Sequence, residues 1–311
     1  MDWRKKDLLS IEELKREEIE LLLNTGKHFK TVLDRSIPVV PALRGKTIFN
    51  LFFEPSTRTQ TSFSIAGKRL SADMFNFSVS TSSVKKGESL LDTAYTIQAM
   101  KVDGVIVRHR YPGAAYFLSK HLKCFVVNAG DGTHAHPTQA LLDGLTVMDY
   151  FGKIEGLKIA IVGDILHSRV ARSNIFLFKK LGATVYLVGP PTLLPLYIKN
   201  MDVEIVYNID EIIEEVDIVY LLRIQFERQI AGFFPSIREY IKLYSLTGER
   251  KKNMKKGSVV MHPGPMNRGV EIGFEVADAE QSLILSQVKN GVAIRMAVLY
   301  LLAGGGYESI D

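Results

Sequence analysis

A single cysteine, Cys124, stands in 311 residues. No intrachain disulfide can form, which excludes a small disulfide-stapled scaffold and fits a reducing compartment. Its setting, the apolar run KCFVVNAG, predicts a buried and inert thiol. Long hydrophobic runs are missing as well. The opening MDWRKKDLLSIEELKREE is charged and amphipathic, with no apolar signal core. The late stretch VAIRMAVLYLLAGGG is interrupted by Arg295 and is too short to span a bilayer. Together these features read as a cytoplasmic chain with no membrane attachment. Nor does charge of one sign collect anywhere. The formal net charge is +5, but acidic residues interleave with Lys and Arg throughout, the pattern of a solvated surface and not of a nucleic-acid stripe. There is no long repeat, low-complexity tract or flexible linker.

What is present is a soluble globular composition, 46% hydrophobic and 23% charged, in a chain long enough for two domains, each with its own core. From about residue 45 onward, β-branched apolar runs alternate with segments of helical period. KTIFNLFFE, DMFNFS, VDGVIVRH and KCFVVNAG read as strands of a first half. LKIAIVGD, TVYLVGP, VEIVYN, DIVYLLR and GSVVMHPGP read as strands of a second, the first four each followed by a helix. Continuously apolar strands are those of a parallel sheet covered on both faces. The expected fold is therefore α/β, two doubly wound parallel-sheet domains joined by helices. The first domain is expected over residues 1–138, with an N-terminal amphipathic helix and a C-terminal helix, 288–311, packing back on it. The second is expected over 139–287, since GKIEGLKIAIVGD looks like a fresh first strand.

In open sheets of this kind ligands bind beyond the carboxyl ends of strands, and several polar clusters follow strands here. The segment FFEPSTRTQTSF offers Ser56, Thr57, Arg58 and Thr59 where a helix begins. Such a start suits a phosphate, although an ordinary N-cap beside an exposed arginine reads the same way. STSSVKKGES supplies Ser82 and Lys86 on what is either a solvated loop or a mobile anion-binding one. VRHR puts Arg108 just past a strand, where it could join Arg58 in neutralising a phosphate. NAGDGTHAHPTQALLD carries His134, His136 and Gln139 at a helix start. A His-x-His pair without a carboxylate or cysteine set is a weak metal signal, and a histidine donating to a carbonyl oxygen is the better chemistry. IVGDILHSRVARSN lacks the GxGxxG fingerprint of dinucleotide sites but brings Arg169 to a helix start. YLLRIQFER repeats the idea with Arg223 and Gln225, so that two arginines could hold a dicarboxylate. HPGPMNRG, after the last strand, is a rigid loop able to aim backbone carbonyls at a ligand.

In this order, Ser-Thr-Arg-Thr, Ser82 with Lys86, HPTQALLD, VGD with Arg169, RIQFER and HPGPMNR resemble the catalytic chains of the aspartate carbamoyltransferase family, over essentially the whole sequence. The resemblance implies transfer of the carbamoyl group of carbamoyl phosphate to L-aspartate, in pyrimidine synthesis, with neither cofactor nor metal. It implies that the first domain binds carbamoyl phosphate and the second aspartate. Ser56, Thr57, Arg58, Thr59 and Arg108 would hold the phosphate. Arg108, His136 and Thr59 would polarise the carbonyl. Gln139 and the backbone of Pro263, Gly264 and Pro265 would meet the carbamoyl amide. Arg169, Arg223, Gln225 and Lys86 would bind aspartate. Ser82 and Lys86 would come from a neighbouring subunit, making a homotrimer with shared active sites. Nothing in the sequence selects between a free trimer and higher assembly with regulatory chains or dihydroorotase.

Gln60 and Ser64 depart from the family pattern after the Ser-Thr-Arg-Thr turn, and Gly264 replaces a leucine or alanine. The related ornithine carbamoyltransferases usually carry a cysteine in an HCLP-type loop, which here reads HPGP. A catalytically silent relative acting as a scaffold would be expected to have lost Arg58, Lys86 or His136. All three are present.

Overall fold

The computed structural model describes residues 3–78, 89–225 and 236–304. The chain forms two compact units, Met1–Leu145 with Lys289–Asp311, and Thr146–Val288.

The first unit opens without a helix. Leu8 instead bridges Val127 in parallel, and α1 begins only at Arg16, running Arg16–Leu33. Its start is fixed by Glu18, whose carboxylate accepts the Lys15 backbone N–H at 2.8 Å. The expected amphipathic helix is thus shorter than the amphipathic stretch, because the residues before Lys15 spend their backbone groups on the sheet and on turns. The strands and helices that follow are β1 (Thr47–Phe52), α2 (Thr57–Arg69), β2 (Asp73–Ser78), α3 (Leu90–Ala99), β3 (Gly104–His109), α4 (Ala114–His121), β4 (Phe125–Asp131) and α5 (Pro137–Phe151). The sheet order is β2-β1-β3-β4, all parallel. Every residue of β4 is buried, as the unbroken apolar run requires. Leu51, Ile97, Val105, Val107, Leu118 and Val126 share one core cluster.

In the second unit β5 (Lys158–Val162), α6 (Arg169–Lys180), β6 (Thr184–Val188), β7 (Glu204–Val206) and β8 (Ile218–Leu221) are followed by α7 (Ile237–Tyr244), α8 (Gly248–Lys252), β9 (Val259–Met261) and α9 (Phe274–Ala277). The order is β7-β6-β5-β8-β9, again all parallel. Tyr240, Val162, Val188, Leu221 and Val260 pack in its core. The chain then enters α10 (Ile284–Leu302), which carries it back into the first unit.

Two expected helices are not formed. After β6 the chain makes 3-10 turns at Pro191–Leu193 and Ile198–Met201. Pro190, Pro191 and Pro195 each lack the N–H that an α-helix would use. After β7 there is a 3-10 turn at Ile209–Glu211, where the Asn208 side chain accepts the Asp210 N–H at 3.1 Å. That local bond favours a tight turn over helix propagation. The helical spacing of Ile209, Ile212, Ile213 and Val216 still buries all four side chains. Among the described residues no helix is long and apolar enough to cross a membrane.

Candidate active site

In the first unit the ends of β1 and β3 pair just before the start of α2. Phe53 N–H donates to the Arg108 carbonyl at 2.8 Å, which extends the pairing of β1 with β3 by one residue and sets Glu54 beside Arg108. The Arg108 guanidinium donates to Glu54 Oε1 at 2.9 Å and to the Ala129 carbonyl at 3.1 Å. Ser56 is the N-cap of α2, yet its side chain makes no capping hydrogen bond. Ser89, Ser168, Ser236 and Thr247, the caps of α3, α6, α7 and α8, each accept the N–H three residues on. The first turn of α2 has no acidic residue, so its N–H groups and dipole remain directed at whatever anion approaches. Thr57 and Arg58 are exposed while Thr59 is buried.

The loop after β4 is organised by Asp131. Its carboxylate accepts from Asn128 Nδ2 at 2.8 Å, Gly113 N–H at 2.7 Å, Ala135 N–H at 3.1 Å and His134 Nδ1 at 3.0 Å. Burial pushes this carboxyl upward, but the bonds from His134, Asn128 and Gly113 outweigh burial and hold it below the ordinary aspartate range. His136, buried, precedes Pro137 at the first position of α5. Gln139 donates its amide to Asp143 Oδ1 at 3.0 Å, which fixes the direction of the remaining amide oxygen. His134 and His136 therefore differ: the first holds Asp131, the second sits at the helix entrance. Among the described residues no group of His, Cys, Asp and Glu forms a metal-holding cluster. Cys124 lies buried, and burial raises its thiol to about 11.

In the second unit the turn after β5 is built around buried Asp164. It accepts from His167 Nδ1 at 2.8 Å, from His167 N–H at 3.2 Å and from Gln225 N–H at 3.3 Å. Gln225 also donates its side-chain amide to the His167 carbonyl at 3.0 Å. Gln225, two residues beyond Arg223, is thus tied to the turn that leads into Arg169, the first residue of α6. Arg169 is buried and Arg223 half-buried. Gly163 takes φ +124°, and a Cβ there would lie 2.9 Å from Tyr240 Oη and 3.0 Å from the Leu222 carbonyl. Only glycine lets the strand end approach so closely.

The loop after β9 is held by His262. Nδ1 accepts Gly264 N–H at 2.8 Å, so the proton sits on Nε2, which donates to Glu271 Oε1 at 3.1 Å. His262 N–H donates to Gln287 Oε1 at 3.0 Å. Gly264 has φ +65° and precedes a cis proline, Pro265, so the glycine that departs from the family pattern occupies a left-handed backbone position. Pro263 and Gly264 are half-buried and Pro265 exposed.

Each unit thus gathers its own share of the expected residues: Ser56 to Thr59, Arg108, His136 and Gln139 in the first, and Arg169, Arg223, Gln225 and the Pro263–Pro265 loop in the second. Ser82 and Lys86 lie outside the described residues. The sequence reading missed the carboxylates that hold these groups. Asp131 with His134 and Asp164 with His167 share the spacing D-x-x-H at the carboxyl end of a strand, a repeated signal in the sequence that could have revealed both.

Residues 6–149 match the family model of the aspartate/ornithine carbamoyltransferase carbamoyl-P binding domain, and residues 155–302 that of the Asp/Orn binding domain. The aspartate carbamoyltransferase catalytic subunit of Desulfitobacterium hafniense is 56% identical over 306 residues, covering 98% of each chain. That of Halothermothrix orenii is 57% identical over 304 residues, covering 98% of this chain and 97% of its own. The structure of aspartate transcarbamoylase from Trypanosoma cruzi in complex with carbamoyl phosphate and aspartate superposes with a TM-score of 0.87 at 30% identity, over 96% of this chain and 97% of that one. With both family domains present in order and relatives of one kind matching from end to end, the chain belongs to the aspartate/ornithine carbamoyltransferase family.

Proposed function

We propose that this chain transfers the carbamoyl group of carbamoyl phosphate to the amino group of L-aspartate, giving N-carbamoyl-L-aspartate and phosphate. The observation that carries the reading is the start of α2. A serine cap that makes no capping bond, Arg58 and an acid-free first turn stand next to Arg108 at the end of the adjacent strand. That set suits a phosphate dianion as leaving group. Relatives from end to end carry the name of the aspartate enzyme.

In the proposed step the aspartate amine attacks the carbamoyl carbon. A C–N bond forms, negative charge grows on the carbonyl oxygen, and the C–O bond to phosphorus then breaks with its electron pair leaving on phosphate. The proton of the attacking amine passes to the departing phosphate. Ser56, Thr57, Arg58, Thr59 and Arg108 hold the phosphate. Arg108, His136 and Thr59 donate to the carbonyl oxygen, where stabilisation counts most as charge develops. Gln139, its amide oriented by Asp143, meets the carbamoyl NH2 together with the backbone at Pro263, Gly264 and Pro265. Arg169 and Arg223 take the two carboxylates of aspartate, with Gln225 held on Asp164 and His167 to assist.

Ser82 and Lys86 reach the substrates from a neighbouring copy in a homotrimer. That part of the reading rests on the resemblance of STSSVKKGES to the family loop.

The test is carbamoyl transfer by the purified chain from carbamoyl phosphate, with aspartate and ornithine offered in parallel. Product with aspartate alone supports the reading. Product with ornithine, or with neither, rejects it.

A further inference from the structure

Arg295, on α10, is buried, with 4% of its surface exposed. Its Nη1 donates to Ser62 Oγ at 3.0 Å and to the Gly291 carbonyl at 2.9 Å, and the guanidinium lies 5.1 Å over the Phe63 ring. Ser62 and Phe63 belong to α2, whose first turn carries Ser56 to Thr59. No carboxylate stands within ion-pair distance of Arg295 among the described residues, and Nε has no hydrogen-bond partner. The charges of Arg108 and Asp143 act on it, the first opposing and the second favouring its charged form. Asp143 is engaged by Gln139.

A buried guanidinium without a carboxylate in contact is costly, and an apolar side chain of similar volume would fill the space at lower cost. Burial, with the neighbouring Arg108 charge, lowers its pKa to about 10, which leaves it charged at neutral pH. The charge of Arg108 is partly spent on Glu54. That of Arg295 is spent on no contacting acid, and in a low-dielectric interior its field extends further than it would in water. A dianion bound at the start of α2 would gain from both cations at once.

We propose that Arg295 is a positioning residue for the phosphate end of carbamoyl phosphate, holding α2 from behind through Ser62 and adding a buried positive charge to the field in which the phosphate binds. This inference rests on the carbamoyl phosphate reading above.

The test uses the full chain and the variants Arg295→Met, Arg295→Lys and Ser62→Ala. Turnover of the parent protein is measured first, then calorimetric Kd values for inorganic phosphate and carbamoyl phosphate, KM for aspartate at saturating carbamoyl phosphate, and Tm. Arg295→Met should weaken both phosphate ligands about tenfold while the KM for aspartate stays within about twofold, and Arg295→Lys should recover most of the loss. Ser62→Ala, which keeps the charge, should weaken them about threefold. A lower Tm with unchanged Kd values for Arg295→Met would assign Arg295 to packing alone and overturn the proposal. If that variant does not fold, unchanged phosphate affinity in Ser62→Ala overturns it instead. A parent protein that binds phosphate but turns over neither amino acid rejects the proposed function and leaves Arg295 to be judged on binding.

Discussion

Arg58 is exposed on the first turn of α2, whereas Arg108 is half-buried against Glu54 and the Ala129 carbonyl. The two cations can therefore be removed at very different structural cost. Arg58→Ala deletes a group with no core role, so Tm should move by no more than about 1 °C while turnover falls about a thousandfold, by analogy with losing an oxyanion donor. Steady-state rates beside a melting curve decide this, and full activity in the variant would sink the phosphate assignment. Asp131 carries the opposite balance. Its folded carboxyl is held below the ordinary range. Its contribution to stability is therefore complete above the unfolded pKa and is lost as pH falls through the depressed folded value. Urea unfolding of Asp131→Asn should show a flatter acid limb than the parent from about pH 5 to pH 3, and lower stability at neutral pH by about 2 kcal/mol. An unchanged acid limb would remove Asp131 as the hub of its loop. The donors of the candidate site stand out in the sequence as arginines and hydroxyls that follow strands. Their acceptors do not. Arg108 and Glu54 are 54 positions apart, and only the pairing of β1 with β3 makes them neighbours.

At the level of elements, the strands were the easiest feature to read, since burial on both faces writes itself as uninterrupted apolar residues. The turns after β6 and β7 were not, although Pro190, Pro191 and Pro195 argue against an α-helix in the first. The start of α2 is where element and chemistry meet. Ser168, which accepts the Ala171 N–H at 3.1 Å, is a working cap, and Ser168→Ala should cost about 1 kcal/mol. Ser56 makes no such bond, so Ser56→Ala should cost less than about 0.5 kcal/mol of stability yet weaken phosphate binding severalfold. Denaturant midpoints for the two variants, paired with phosphate titrations, separate the outcomes. Equal stability losses would mean that Ser56 is an ordinary cap in solution.

On the scale of the whole molecule, the proposed sharing of Ser82 and Lys86 between copies has a direct consequence for mixtures. Arg58→Ala and Lys86→Ala chains, each inactive alone, should regain part of the activity after being dissociated and reassociated together, because some sites then draw intact residues from both copies. Absence of any recovery in a verified mixed oligomer would confine each site to one chain. The return of α10 to the first unit bears on a different process. Phe29 of α1 meets Tyr300 edge-on at 5.5 Å, and Lys289 pairs with Asp34 at 2.6 Å. Ala293, Ile294, Met296 and Ala297 are all fully buried. During synthesis most of the first unit emerges before the second, yet α10, which packs on it, emerges only after the second unit. The second unit is continuous in sequence and has all its residues first. Chains cut after Val288 and stalled behind a linker long enough to clear the ribosome should accordingly show a protease-resistant second unit beside a sensitive first one, so that the unit begun first is finished after its neighbour.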